Sequence, residues 1–178
     1  MGSGKGVIKE YFVSRYGAQS FGFSVALKDT LERLGLVVCR ENYALLAEAL
    51  RDTFGGNILT KAILKDISMV SAPIVVLEGM RKPVELEGLR ELPNFHLLFV
   101  DTDLQIRYHR IRNRGVKADD ATKTFEEFVR DHERDADREV GELKRIAHTV
   151  INNDGTLEEL HVKLDVLMTR ILGKEALK

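Results

Sequence analysis

Two short apolar runs limit the fold more than any other feature of the chain. Ile74-Val75-Val76-Leu77 follows Pro73 and ends in Glu78-Gly79, and Leu97-Leu98-Phe99-Val100 ends in Asp101. Neither run alternates with polar residues, so each is expected as a strand covered on both faces. Strands of that kind pair in parallel, and parallel neighbours must be joined by long crossovers, usually helices. Thr149-Val150-Ile151-Asn152 is a third, weaker strand. The expected class is α/β: a parallel sheet between helical layers, with right-handed connections.

The intervening segments have helical spacing. Residues 5–16 carry Val7, Ile8, Tyr11 and Phe12 on one face, and Gly17 stops them. A stretch from Gln19 to Ser24 leads into a second helix ending near Gly35. Leu45, Leu46, Ala49 and Leu50 mark a third helix over 41–53, broken by Phe54-Gly55-Gly56, and Asn57 is placed to cap a fourth through Ile58, Ala62 and Ile63. Residues 83–91 read as a helix with Pro83 in its first turn. Thr124 and Glu127 form a capping-box pattern opening a charged helix to about 138, and Thr156 and Glu159 open the C-terminal one. Leu157, Leu160, Leu164, Leu167 and Ile171 form the apolar stripe of that last helix, closed by Gly173.

Composition narrows the function classes. The chain has 178 residues, 44% of them hydrophobic, enough for one domain with a real core and too apolar for a disordered chain. A net charge of −1 argues against a general nucleic-acid binder. A single cysteine, Cys39, excludes an internal disulfide scaffold and reads as a small buried hydrophobe. No apolar run is long enough for a membrane span or a signal peptide, so a cytoplasmic protein is expected. The five histidines lack metal-ligand spacing, and no G-x-S-x-G elbow is present.

Gly2-Ser3-Gly4-Lys5-Gly6 runs directly into the first helix. Glycines allow backbone N–H groups to turn toward an anion, the helix N-terminus adds partial positive charge, and a lysine reaches the outer phosphates. Met-Gly-Ser-Gly also has the composition of a tag remnant. Lys5-Gly6 in register with an amphipathic helix favours the loop. The strand that feeds such a loop is expected to be missing or to lie upstream of Met1.

Taken in order, the motifs resemble those of P-loop kinases of the nucleoside-monophosphate-kinase type, including adenylate kinase, deoxynucleotide monophosphate kinases, and relatives described only as AAA-type ATPases or as similar to dephospho-CoA kinase. The resemblance spans nearly the whole chain. It rests on Gly2 to Gly6, Phe23-Ser24 through Leu27-Lys28-Asp29, Arg40-Glu41-Asn42, Leu77-Glu78-Gly79-Met80-Arg81, Val100-Asp101-Thr102-Asp103, Arg107 to Ile111, and Ile151-Asn152-Asn153-Asp154-Gly155-Thr156. Val7 stands where the family often has threonine, and Glu78 where it usually has aspartate.

The resemblance implies a three-layer P-loop fold in a single domain over 1–178, with an acceptor-binding helical region at about 24–66 and a lid at about 110–138. It implies ATP and Mg²⁺ as cofactors. Gly2, Ser3, Gly4, Lys5, Gly6 and Val7 would hold the phosphates, with Lys5, Arg81 and Arg114 catalytic. Arg110 would stack on the ATP base and Arg114 approach its phosphates. Lys28, Arg40, Arg51 and Arg81 would bind the acceptor, and Glu78, ahead of Asp101, would hold water on Mg²⁺. Asp101 reads equally as a helix cap, Arg81 and the arginines of 107–117 as solvated surface charge, and Arg130, Arg134 and Arg138 as members of a salt-bridged exposed helix. The partner expected is a small-molecule nucleotide, with neither nucleic acid nor membrane, and a homodimer is left open. The alternatives are a nucleotide-binding module with a degenerate loop and little catalysis, and a dephospho-CoA-kinase-like enzyme.

Overall fold

The computed structural model describes residues 2–114, 124–134 and 137–173. Along them run α1 (Lys5–Tyr16), β1 (Gln19–Gly22), α2 (Phe23–Arg33), α3 (Arg40–Phe54), α4 (Ile58–Ser68), β2 (Val75–Glu78), β3 (Leu98–Asp101), α5 (Leu104–Arg114), α6 (Phe125–Arg134), α7 (Asp137–Ile146), β4 (Thr149–Asn152) and α8 (Leu157–Leu172). Two compact units emerge: Met1–Tyr11, His96–Asp137 and Lys144–Lys178 form one, Phe12–Phe95 and Arg138–Leu143 the other.

In the unit built on Phe12–Phe95, β1 and β2 pair in parallel, Gln19 opposite Val75 and Gly22 opposite Glu78. The crossover between them holds α2, α3 and α4. Their apolar faces meet in a core of Phe23, Leu27, Ala47, Leu59, Ile63 and Leu89. In the other unit β3 and β4 pair in parallel, Leu98 opposite Thr149 and Asp101 opposite Asn152. Tyr108 and Ile111 of α5 pack on Phe128 of α6, and Leu160, Leu164, Leu167 and Met168 form the buried stripe of α8. Thr156 accepts from the Glu159 amide while the Glu159 carboxylate accepts from the Thr156 amide, the reciprocal cap expected there. Among the described residues, no helix is long and apolar enough to cross a membrane.

Several elements differ from expectation for identifiable reasons. Gln19–Gly22 is a strand although nothing in Gln-Ser-Phe-Gly favours one; pairing with β2 makes it so. Residues 83–91 form two 3₁₀ turns, Pro83–Leu86 and Leu89–Glu91, because Gly88 lies between them at φ +79°. Of the charged helix expected over about 125–138, Phe125–Arg134 is helical and helix runs again from Asp137, while residues 135–136 lie outside the described residues. Asn57 holds the N-cap position of α4, yet its side-chain amide donates to Glu87 at 2.8 Å. Cys39 is only half-buried, and its neighbours Val37 and Val38 are exposed, so it is not the core residue expected.

His96, just ahead of β3, meets His148, just ahead of β4. His96 Nε2 lies 2.9 Å from Thr149 Oγ1, the Leu97 amide donates to His148 Nδ1, and the two rings are 5.1 Å apart. Partial burial, then the charges of His148 and Arg170, hold His96 below the usual histidine range. Between that lowered value and the unfolded value of about 6.5, the unfolded chain binds more protons than the folded one. This contribution to stability is therefore full above about pH 6.5 and is lost as pH falls through the folded value. Melting temperatures from pH 7.5 to 5.0 should decline accordingly, and His96→Asn should flatten the slope; an unchanged slope would remove His96 from the account.

Candidate phosphate-binding site

Glycine geometry shapes the loop ahead of α1. Gly2 has φ +75° and Gly4 φ +92°, conformations that residues with a Cβ rarely adopt. A Cβ on Gly2 would come 2.7 Å from the Arg107 carbonyl oxygen, and one on Gly4 would overlap the Asn153 side-chain amide. Gly6 is different: its Cβ would meet nothing within 4 Å. Protein contacts thus demand glycine at 2 and 4, whereas Gly6 keeps the outer side of the first turn open. The Ile8 amide donates to the Gly4 carbonyl, closing the first turn. The amides of Gly6 and Val7 come before Ile8, the donor that closes this turn. Lys5 and Val7 both reach solvent, Val7 being 41% exposed.

Ser3 is buried, and its carbonyl accepts from Asn153 Nδ2 at 2.8 Å and Thr102 Oγ1 at 3.3 Å. Asn153, also buried, donates its own amide to the Asp101 carbonyl at 2.8 Å. Arg110 donates to the carbonyls of Asn153 at 2.9 Å and Gly155 at 3.3 Å. The Asp103 amide donates to Asp154 Oδ1 at 2.7 Å, and that bond, with one from the Asn152 side chain, holds the Asp154 carboxyl below its ordinary range. The unit thus brings the loop, the end of β3, Arg110 and the 153–156 turn into one hydrogen-bonded set. Asp101 is expected as a metal ligand, but its Oδ2 already lies 2.6 Å from Lys144 Nζ.

Glu78, Arg81, Arg51, Lys28 and Arg40 belong to the other unit. Glu78 ends β2, and Gly79 follows at φ +94°. Arg81 is exposed at its side chain, while its amide donates to Glu85 Oε2 at 2.8 Å. Arg51 Nη2 donates to Glu85 Oε1 at 2.8 Å, so Glu85 brings Arg51 and the Arg81 backbone together. Lys28 is half exposed and pairs with Glu32 at 3.4 Å on its own helix. The side chains of Arg40 and Arg114, and the lid segment 115–123, lie outside the described residues.

Sequence reasoning assigned no role to Asn153, Thr102 or Glu85. The first two lie within motifs that carry the resemblance, and Glu85 follows Lys82-Pro83 at the N3 position of a turn, where a carboxylate reaches back to amides.

Parallel strands, helical crossovers and a glycine loop leading into a helix make an α/β fold of the P-loop type. A solved structure agrees. A shikimate kinase from Acinetobacter baumannii, in complex with shikimate, superposes with a TM-score of 0.53 over 98% of this chain and 90% of that one, at 15% identity. Relatives of comparable length exist among archaeal proteins. The chain is 29% identical over 177 residues to a UPF0200 protein of Pyrococcus horikoshii, covering 97% of this chain and 94% of the relative. A UPF0200 protein of Methanoculleus marisnigri is 28% identical over 151 residues, covering 84% and 81%. No protein-family model matches the chain.

Proposed function

We propose that this protein transfers a phosphoryl group from ATP to a small-molecule acceptor, a nucleoside monophosphate. The observation that carries the reading is the loop: a backbone at positive φ held open by a Cβ exclusion at Gly4, followed by the amides that begin α1. Phosphate fits such a cradle because the amides and the helix dipole both favour negative charge. The kinase fold of the structural neighbour supports the reading at the level of fold.

In this reading Gly2, Ser3, Gly4, Gly6 and Val7 bind the phosphate chain through the backbone, and Lys5 neutralises the outer phosphates. Arg110 holds the turn against which the base rests, and Arg114 approaches the phosphates. Lys28, Arg40, Arg51 and Arg81 orient the acceptor. Phosphoryl transfer is mainly positioning and charge stabilisation, so none of these residues needs to become covalently attached.

Among the described residues, no group of three His, Cys, Asp or Glu could hold a metal ion. Mg²⁺ in kinases takes one or two carboxylates and completes its shell with water and phosphate oxygens, so the donor set still fits. Glu78, at the end of β2, would hold water on Mg²⁺, ahead of Asp101 at the end of β3. When bound, Mg²⁺ would supply charge neutralisation to the phosphates. The lid that the resemblance implies at about 110–138 would exclude water that otherwise hydrolyses ATP.

A second reading, a nucleotide-binding module with little turnover, draws support from Val7 and from the Asp101–Lys144 pair. Thermal melting separates binding from its absence. Mg-ATP at about 100 times its Kd should add roughly 2.7 kcal/mol, a rise of about 5–10 °C for a chain of this size, and Lys5→Ala should abolish most of it. No rise in the wild type overturns both readings. A rise without turnover on any monophosphate, nor on shikimate, favours the module.

A further inference from the structure

We propose that Asn153, assisted by Thr102, is a positioning residue that sets the phosphate loop before nucleotide arrives; this rests on reading the loop as the phosphate site. The side-chain amide of Asn153 holds the Ser3 carbonyl at 2.8 Å, and the Thr102 hydroxyl approaches the same oxygen at 3.3 Å. In a trans peptide the carbonyl and the next N–H point in opposite directions. Turning the Ser3 carbonyl toward the buried Asn153 therefore turns the Gly4 amide away from it, to the side left for an anion. The same contact explains Gly4, since any Cβ there would displace the amide that does the holding.

The holding group is itself fixed. Asn153 is 5% exposed, its amide is bound to the Asp101 carbonyl, and its carbonyl accepts from Arg110 at 2.9 Å. Thr102 is 6% exposed and has one hydroxyl proton, best directed at Ser3, because the alternative acceptor, the Asn153 carbonyl, is farther at 3.5 Å. A loop held this way loses less entropy on binding than one ordered by the anion.

Asn153→Asp tests the idea with almost no change of shape. At pH 8 the new carboxylate can only accept, and it faces the Ser3 carbonyl, so Mg-ATP affinity measured by calorimetry should fall about 10-fold or more. Inorganic triphosphate should weaken in parallel, while adenosine should bind as it does to the wild type. Lowering the pH should narrow the gap to wild type, because the carboxyl, once protonated, can donate to Ser3 again. A merely destabilised variant would show neither the phosphate selectivity nor the pH recovery. Thr102→Val, which removes one hydroxyl, should weaken Mg-ATP about 3-fold or more and carries the test should Asn153→Asp not fold. Unchanged affinity in Asn153→Asp, or in Thr102→Val if only that variant folds, overturns the proposal alone. Absence of Mg-ATP and triphosphate binding in the wild type overturns the phosphate-site reading as well.

Discussion

Replacing Glu85 with alanine should destabilise the protein by about 3 kcal/mol or more, lowering its melting temperature by roughly 6–12 °C. The carboxylate is 1% exposed and accepts three hydrogen bonds: from Arg51 Nη2, from the Arg81 amide and from the Lys82 amide at 3.1 Å. The Glu85 carbonyl is used too, accepting from the fully buried Thr60 hydroxyl. Deleting the side chain strands a guanidinium whose Nε is already without a hydrogen-bond partner. Breaking a buried pair costs about 3–5 kcal/mol, and the lower end applies because the Arg51 side chain is 21% exposed and water offsets part of the loss. Glu85→Gln should lose roughly half as much, retaining one oxygen for the amides. Combining Glu85→Leu with Arg51→Met should recover much of the deficit, since replacing both partners removes the stranded charge. Urea unfolding measures all three; a Glu85→Ala protein within about 1 kcal/mol of wild type would mean that the pair contributes little.

Gly4→Val should remove nucleotide-dependent behaviour without removing any charge. Valine at φ +92° is strained by its branched Cβ, and that Cβ would occupy the place of the Asn153 amide. Asn153 is buried, so it can yield only by releasing the Ser3 carbonyl. The loop must then reorganise, and misdirected amides lose both ground-state binding and transition-state stabilisation. Turnover should fall by about two to three orders of magnitude or more, and the melting shift with Mg-ATP should vanish. Gly6→Ala is the control: its Cβ meets no protein atom, so the fold should be unaffected and only ligand contact should suffer. Wild-type turnover in Gly4→Val would contradict the loop assignment directly.

The sequence revealed elements whose order comes from their own side chains. Continuous apolar runs marked β2 and β3, and helical spacing marked α1, α3 and α8 close to their observed limits. It was mute where the order comes from a distant partner. Gln-Ser-Phe-Gly becomes a strand only through backbone pairing with residues 75–78. Pro83 looked like the start of a helix, yet Gly88 at positive φ divided the segment, and only a three-dimensional chain path demands that φ. The glycine loop was legible because its chemistry is local. Its support was not: Asn153 and Ser3 are 150 positions apart, and Arg51 and Glu85 are 34 apart. Charge alone made Arg51 an acceptor candidate, whereas its position showed a prior engagement with Glu85.

The distance from Ser3 to Asn153 also bears on how the protein is made. Ribosomes add about 5–20 residues per second, so the glycine segment leaves the exit tunnel many seconds before its fixing residue is synthesised. Through that interval the unit centred on residues 12–95 has nearly all its chain and can condense, as domains do during synthesis. The glycine segment meanwhile lacks the Asn153 amide that holds the Ser3 carbonyl. The glycine segment is thus among the last parts of this chain to acquire its final conformation, and a nascent chain interrupted before residue 153 would have most of its helices without the side chain that holds the Ser3 carbonyl.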